Sequence, residues 1–314
     1  MKPAVAFIVF NRPDVTARVF ERIREARPER LFIIADGARV DRPDDVEKCA
    51  AVRALTDRID WPCRVQRNYS EGNLGCRRRV ASGLDWVFRE VEEAIILEDD
   101  CLPDLSFFSF CAELLERHRN DSRVMCISGT NMQSGMVRTP YSYYYSVFPS
   151  IWGWATWRRA WEKYDVDMGL WPEAERAGTL QDALPHEACA RKWTRRVQRV
   201  YDGKVDTWDC QWGFTCLKEG GLTCVPEVNL IDNIGFGSDA THTHGQLPEC
   251  IVPAGQMGDI VHNPFVLANK AADLHMASAF FGFSEDVSLK RMCGDLAREL
   301  MTRARGKLSR RRTE

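Results

Sequence analysis

Short apolar runs alternate with stretches of helical period over the first hundred residues. The apolar runs read AVAFIVF, LFIIADG, a shorter segment at 63–66, and AIILEDD. After the first run, one helix face is predicted from the spacing of Val15, Val19, Phe20 and Ile23. Further helices are predicted over 44–56 and 77–91. Strands separated by helices of this length predict an α/β fold, with a mostly parallel sheet flanked by helices.

Three of these runs end in residues that can bind a ligand. The ends carry Asn11 and Arg12, then Asp36, then the triplet Glu98, Asp99 and Asp100. In open parallel sheets the ligand crevice lies at the carboxyl ends of the strands, so we expect all of these side chains on one rim.

The triplet carries a specific chemical expectation. Three adjacent acids at the end of a buried strand repel one another and lose hydration, so they normally require a cation. Mn²⁺ and Mg²⁺ both accept carboxylate oxygens, and Mg²⁺ usually shares its coordination with substrate phosphates. These properties predict a divalent cation, Mn²⁺ or Mg²⁺, beside a phosphate-bearing ligand. The alternative explanation of the triplet is a solvated turn after a strand.

The second half of the chain is less regular and rich in aromatic residues. The segment YSYYYSVFPSIWGWATWRRAW is followed by a predicted helical region over 178–202, then by WDCQW, TCVPEVNLI and NIGFGSDATHTHG. No repeat or flexible linker separates the halves. We predict one continuous globule with a nucleotide half (1–130), an aromatic-rich acceptor half (131–265) and a helical, basic tail (266–314).

Composition narrows the class of protein. A net charge of −2 and a pI near 6.3 give no overall attraction to nucleic acid. The 12 cysteines are scattered and form no CxxC pair, which favours reduced thiols in a cytoplasmic protein. The amino-terminal apolar run is too short for a signal peptide, and no stretch approaches the ~18 apolar residues of a membrane span.

The carboxyl-terminal segment 291–312 has eight basic residues against two acids. Its apolar residues recur at roughly helical spacing, which is typical of a helix lying on an anionic membrane surface. A frayed, solvated terminus explains the same pattern. The expected location is the cytoplasm, with contact to the inner face of the membrane as an open alternative.

Taken in order, the strand-EDD, WGWATW, WDCQW and NIGFGSDATHTHG blocks resemble the nucleotide-sugar glycosyltransferases of the GT-A fold. The resemblance covers about residues 4–245. It is strongest to bacterial family-2-like sugar transferases of cell-envelope polysaccharides, and more distant to the transferase that adds N-acetylglucosamine to the N-glycan core. It implies a metal-dependent, inverting transfer from a nucleotide-sugar donor, a UDP-sugar, to a glycan or lipid-linked acceptor.

The resemblance also implies roles for the strand-end residues. Asp100 would bind the metal directly, Asp99 would meet the ribose or metal-bound waters, and Glu98 would meet the donor sugar or nucleotide. Asn11 and Arg12 correspond to the nucleotide-binding edge.

The loop residues have competing interpretations. Asp36 matches an acid that bonds the uracil or ribose, with a helix cap as the alternative. Asn73 and Arg77 belong to the loop SEGNLG and the helix after it, which resemble the segment flanking the base. Arg77 is equally well explained as a surface helix residue.

The later blocks suggest the chemistry. Asp209 lies in a Trp-Asp context similar to that of the family's catalytic base, with flanking tryptophans that would stack on sugar faces and exclude water. These tryptophans could instead fill a core. Gly153 and Trp154 would approach the donor sugar, or belong to an aromatic core. In the last block we predict His242, rather than His244, as a second metal ligand.

Two other functions are compatible with the sequence. Trp-rich surfaces suit a non-catalytic carbohydrate-binding protein, although such a protein does not need the acidic triplet. A sugar nucleotidyltransferase would normally carry a Gly-rich, basic loop after the first strand, where this chain has NRPD.

Overall fold

The computed structural model describes residues 2–236 and 248–282. The strands in this part of the chain are β1 (Ala4–Val9), β2 (Arg30–Ala35), β3 (Arg64–Tyr69), β4 (Glu93–Glu98), β5 (Cys101–Pro103), β6 (Val124–Ser128), β7 (Tyr143–Ser146), β8 (Trp154–Trp157), β9 (Leu222–Pro226) and β10 (Ile231–Asn233). The helices are α1 (Pro13–Ala26), α2 (Asp44–Leu55), α3 (Gly75–Glu90), α4 (Ser106–Arg117), α5 (Arg158–Trp161), α6 (Trp171–Ala177), α7 (Thr179–Ala183), α8 (Glu187–Tyr201), α9 (Asp209–Lys218) and α10 (Lys270–Ala279).

Eight of these strands form one sheet in the order β3-β2-β1-β4-β8-β6-β9-β7, while β5 and β10 pair separately. The first four strands are parallel. Strand β8 lies antiparallel between β4 and β6, so β6 and its parallel neighbour β9 run with the first four. Among the eight described strands of this sheet, only β8 and the edge strand β7 are reversed. The predicted mostly parallel α/β sheet is confirmed.

Helices cover both faces of this sheet because strand side chains alternate between them. Alternate β1 residues such as Phe7 join a cluster that includes Phe20 of α1 and Phe110 of α4. The intervening β1 residues face a second cluster with Leu84 of α3 and a group of tryptophans that includes Trp154. The candidate site lies at the carboxyl edge of this sheet, where Glu98 ends β4.

A third cluster packs α6 to α10 beside the sheet. The predicted helix over 178–202 is two helices, α7 and α8, because residues 184–186 around Pro185 leave the helix. None of the helices in the described part of the chain combines the length and apolar character needed to cross a bilayer.

Candidate active site

The acidic triplet lies at the carboxyl end of β4, directly beside the end of β1. Arg12 donates from Nη2 to Asp99 Oδ1, and also to Asp100 Oδ2 at 3.0 Å. Both carboxylates are nearly buried. Arg12 and the triplet therefore share one rim, as the strand-end pattern predicts, and the guanidinium partly neutralises the acids.

The pKa values of Glu98 and Asp99 are raised even though Arg12 lies beside the triplet. Burial, together with the charges of Asp100 and Asp99, raises the pKa of Glu98 to about 8. Burial also raises the pKa of Asp99 to about 6, although Arg12 acts in the opposite direction. Glu98 makes no side-chain hydrogen bond or ion pair to a described residue. Further positive charge would therefore be stabilised here.

The short pair β5–β10 fixes the position of Asp100. Its carbonyl accepts a hydrogen bond from the backbone N–H of Ile234 at 2.8 Å. Gly235 follows, and a Cβ at that position would lie 2.2 Å from Asp100 Oδ2. Gly235 is a functional candidate that the sequence analysis missed, although the glycine-rich NIGFG was a signal for close backbone approach.

Asp36 is not exposed to the same space. Its carboxylate accepts hydrogen bonds from the backbone N–H of Leu74 at 2.9 Å and of Gly75 at 3.1 Å, at the start of α3. Asn73 Nδ2 donates to Asp36 Oδ2 at 3.1 Å. These are the contacts of the helix-cap alternative. Burial raises the pKa of Asp36, while these backbone donors oppose the rise.

Two other predicted nucleotide-binding residues have structural partners. Asn11 donates to Asp45 Oδ1 at 2.7 Å and ties the end of β1 to α2. Arg77 donates to the carbonyl of Val166 at 2.6 Å and to Asp167 at 3.1 Å, which fixes a turn against α3. Neither side chain lines the cavity that Glu98 and Asp100 line.

Asp209 does line that cavity. It is the first residue of α9, where the helix dipole favours a carboxylate. Its Oδ2 accepts from Arg196 at 2.8 Å, and its Oδ1 accepts from the hydroxyl of Thr207. The charge of Asp209 also contributes, after nearer groups, to the raised pKa of Glu98. The structure thus brings Asp209 and the triplet together.

The aromatic core alternative accounts for Trp154 and Trp212, whereas Trp208 lines the cavity. Trp154 is fully buried and stacks on Trp208 with ring centroids 5.5 Å apart. The expectation that both tryptophans around Asp209 face a sugar is wrong for Trp212, because it is also fully buried. Gly153 has φ of +63°, and a Cβ there would lie 2.4 Å from Ile231 Cδ1. Gly153 and Trp154 do not line the cavity.

The cavity itself has a volume of about 840 Å³ and runs from the triplet to α8. Its acidic residues are Glu98, Asp100 and Asp209. An aromatic wall is formed by Trp152, Trp193, Phe280 and Phe281. Helix α8 contributes Lys192, Arg195, Arg196 and Arg199, which the sequence analysis did not single out. Their spacing within one predicted helix was the available signal.

The cation prediction can be compared with this geometry. Among residues 2–236 and 248–282, no group of three or more His, Cys, Asp or Glu side chains is arranged to hold a metal by itself. Mg²⁺ usually needs only one or two carboxylates, because waters and substrate phosphates complete its shell. Glu98, without a partner among described residues, and Asp100 fit that requirement. His242 and the alternative His244 lie outside the described residues, as does the basic segment 291–312.

No protein-family model and no curated protein sequence matches the chain. Solved structures show a weak likeness. A mannosyltransferase from Pyrobaculum calidifontis, in complex with GDP-Man and Mn²⁺, is 14% identical, with 70% of each chain covered and a TM-score of 0.39. A UDP-glucose pyrophosphorylase complexed with UDP-glucose is 8% identical, covering 72% of this chain and 90% of that one, with a TM-score of 0.35. Mouse xyloside xylosyltransferase 1 is 11% identical, covering 68% and 81%, with a TM-score of 0.33.

Proposed function

We propose that the protein is a metal-dependent, inverting glycosyltransferase that moves a sugar from a nucleoside diphosphate donor, a UDP-sugar, to a glycan or lipid-linked acceptor. One observation carries the proposal. Two acids of the triplet, Glu98 and Asp100, and a separate carboxylate, Asp209, line the same cavity beside an aromatic wall. The resemblance of the sequence blocks to GT-A transferases supports the same assignment.

The two acidic groups would have different tasks. Glu98 and Asp100 would hold Mn²⁺ or Mg²⁺, and the cation would neutralise the charge that develops on the departing diphosphate. Arg12 orients Asp99 and Asp100 through its ion pairs and limits their mutual repulsion. The triplet thus serves the leaving group rather than the nucleophile.

Asp209 would serve the nucleophile. As a carboxylate it would accept the proton of the acceptor hydroxyl as that oxygen attacks the anomeric carbon, which inverts the configuration there. General-base assistance of this kind is worth about 10²–10⁴-fold in rate. Thr207 and Arg196 fix both oxygens of Asp209. The surrounding aromatic side chains would exclude water, which would otherwise hydrolyse the donor.

A sugar nucleotidyltransferase is the second candidate. Such an enzyme would need a cationic group free to meet a nucleoside triphosphate after β1. Arg12 occupies that place, but it is committed to Asp99 and Asp100. This contact favours the glycosyltransferase over the nucleotidyltransferase.

A thermal-shift screen tests the assignment. Ligands that bind the native state raise the melting temperature by mass action. We expect UDP-sugars to stabilise the wild type with Mn²⁺ and not with a chelator, and Asp100→Asn to remove the difference. Donors that stabilise are then incubated with glycan acceptors, and with UTP plus sugar 1-phosphate. Release of UDP supports the proposal, whereas release of pyrophosphate from UTP would establish the nucleotidyltransferase instead.

A further inference from the structure

Helix α8 presents a row of cations to the cavity. Lys192, Arg195, Arg196 and Arg199 have the spacing i, i+3, i+4 and i+7, which places them on one helix face, and all four line the cavity. The cavity therefore has an acidic end at β4 and a basic wall at α8.

Two of these cations already have partners inside the protein. Lys192 Nζ donates to the carbonyls of Phe281 and, at 3.1 Å, Gly282, in the segment that follows α10. Arg196 pairs with Asp209. These contacts attach α8 to the cavity wall and to the candidate base.

The other two cations are differently placed. The side chains of Arg195 and Arg199 make no hydrogen bond or ion pair with any residue in the described ranges. Like charges four residues apart on a helix destabilise it by about 0.2–0.5 kcal/mol, and a bound anion would remove that cost. Guanidinium groups bind phosphate oxygens through paired, charge-assisted hydrogen bonds. The pair is therefore suited to a phosphate that enters the cavity.

We propose that Arg195 and Arg199 bind a phosphate of the acceptor, so that the acceptor is a sugar carrying a phosphate group. This inference rests on the proposed function, in which the acidic end and its cation hold the diphosphate of the donor. The anion that binds at α8 is then a second one, distinct from the diphosphate of the donor. Asp209 connects the two regions, since it pairs with Arg196 and lines the cavity with Glu98. An acceptor anchored at α8 would present its hydroxyl to Asp209.

Calorimetric titration of the full chain with inorganic pyrophosphate, in a chelator, isolates this site from the cation. The test variant is Arg195→Gln/Arg199→Gln. The matched control is Arg191→Gln, which removes a charge from the same helix at a side chain that pairs with Glu187 and does not line the cavity. A second titration measures UDP with Mn²⁺ for each protein, and melting curves verify folding.

We expect the wild type and Arg191→Gln to bind one pyrophosphate, and the double variant to bind it at least about tenfold more weakly. The affinity for UDP with Mn²⁺ should stay the same in all three. No pyrophosphate binding by the wild type, or an equal loss in Arg191→Gln, would overturn the phosphate site. A parallel loss of UDP affinity in the double variant would assign the arginines to the donor and overturn the acceptor role.

The proposed function fails separately, if the wild type does not bind UDP with Mn²⁺. That result would also remove the acceptor role, while pyrophosphate binding in the chelator would still measure the arginine site itself.

Discussion

Replacing Arg12 by glutamine would leave Asp99 and Asp100 without the guanidinium that neutralises them. All three side chains are mostly buried, at 19%, 6% and 13% exposure. Removing one partner of a buried ion pair typically costs about 3–5 kcal/mol. Because Asp99 can take up a proton, we expect the lower part of that range near pH 8, about 3 kcal/mol, and a smaller loss near pH 5.

The same variant tests whether the triplet binds a cation. Without Arg12 the site is more negative, so Mn²⁺ should bind the folded state more tightly than in the wild type. At one hundred times its dissociation constant, Mn²⁺ would return about 2.7 kcal/mol. Urea unfolding at both pH values, with and without Mn²⁺, measures each quantity.

Arg39→Gln is the matched control. Arg39 pairs with Asp45, another buried carboxylate, at 2.6 Å, and hydrogen bonding from the Arg39 side chain lowers the pKa of Asp45 to about 2. That variant should be destabilised as well, but Mn²⁺ should not restore its stability beyond the effect on the wild type. If Mn²⁺ stabilises Arg12→Gln no more than Arg39→Gln, the triplet is not a cation site and the reasoning is refuted.

Three further changes have distinct expected outcomes. Asp209→Asn should lower kcat by about 10²–10⁴-fold while UDP affinity and melting temperature change little; unchanged turnover would remove Asp209 as the base. Gly235→Ala should displace Asp100, because the new Cβ would lie 2.2 Å from Asp100 Oδ2, and should weaken Mn²⁺-dependent UDP binding in calorimetry. Gly258→Ala, whose Cβ would meet open space, should bind UDP normally. Glu98 has a folded-state pKa of about 8, above its ordinary 4.5, so its contribution to stability is complete below pH 4.5 and is lost as the pH rises through 8. Between those pH values the unfolding free energy of Glu98→Gln should fall by about 2 kcal/mol less than that of the wild type, a figure discounted for the partial exposure of Glu98. An equal fall in both proteins would show that Glu98 does not titrate in this range.

The first half of the fold could be predicted because its signals are local. The alternation of apolar runs and helical periods identified β1 to β4 and the helices between them, and parallel pairing followed from the lengths of the connections. The same reasoning placed Arg12 and the triplet at one edge of the sheet. The insertion of β8 between β4 and β6 depends on contacts distant in sequence, which no local pattern specifies.

The sequence predicted a site residue correctly only where the side chain that suits a ligand also faces the site in the folded protein. Asp36 follows a strand as a ligand-binding acid would, but its oxygens are used by the start of α3, and the sequence cannot distinguish these uses. Trp154 has an aromatic side chain suited to a sugar, but both faces of β8 are buried, so its ring lies in the core. Arg195 and Arg199 were passed over because exposed basic residues are common on helices, and only tertiary packing shows that they face a cavity.

Anomalous diffraction at the manganese edge, from crystals grown with UDP and Mn²⁺, tests the central claim most directly. We expect one strong peak within coordination distance of an Asp100 carboxylate oxygen, bridged to the diphosphate of UDP inside the cavity. A manganese peak and a diphosphate located away from β4, with Arg12 still paired to Asp99 and Asp100, would contradict it.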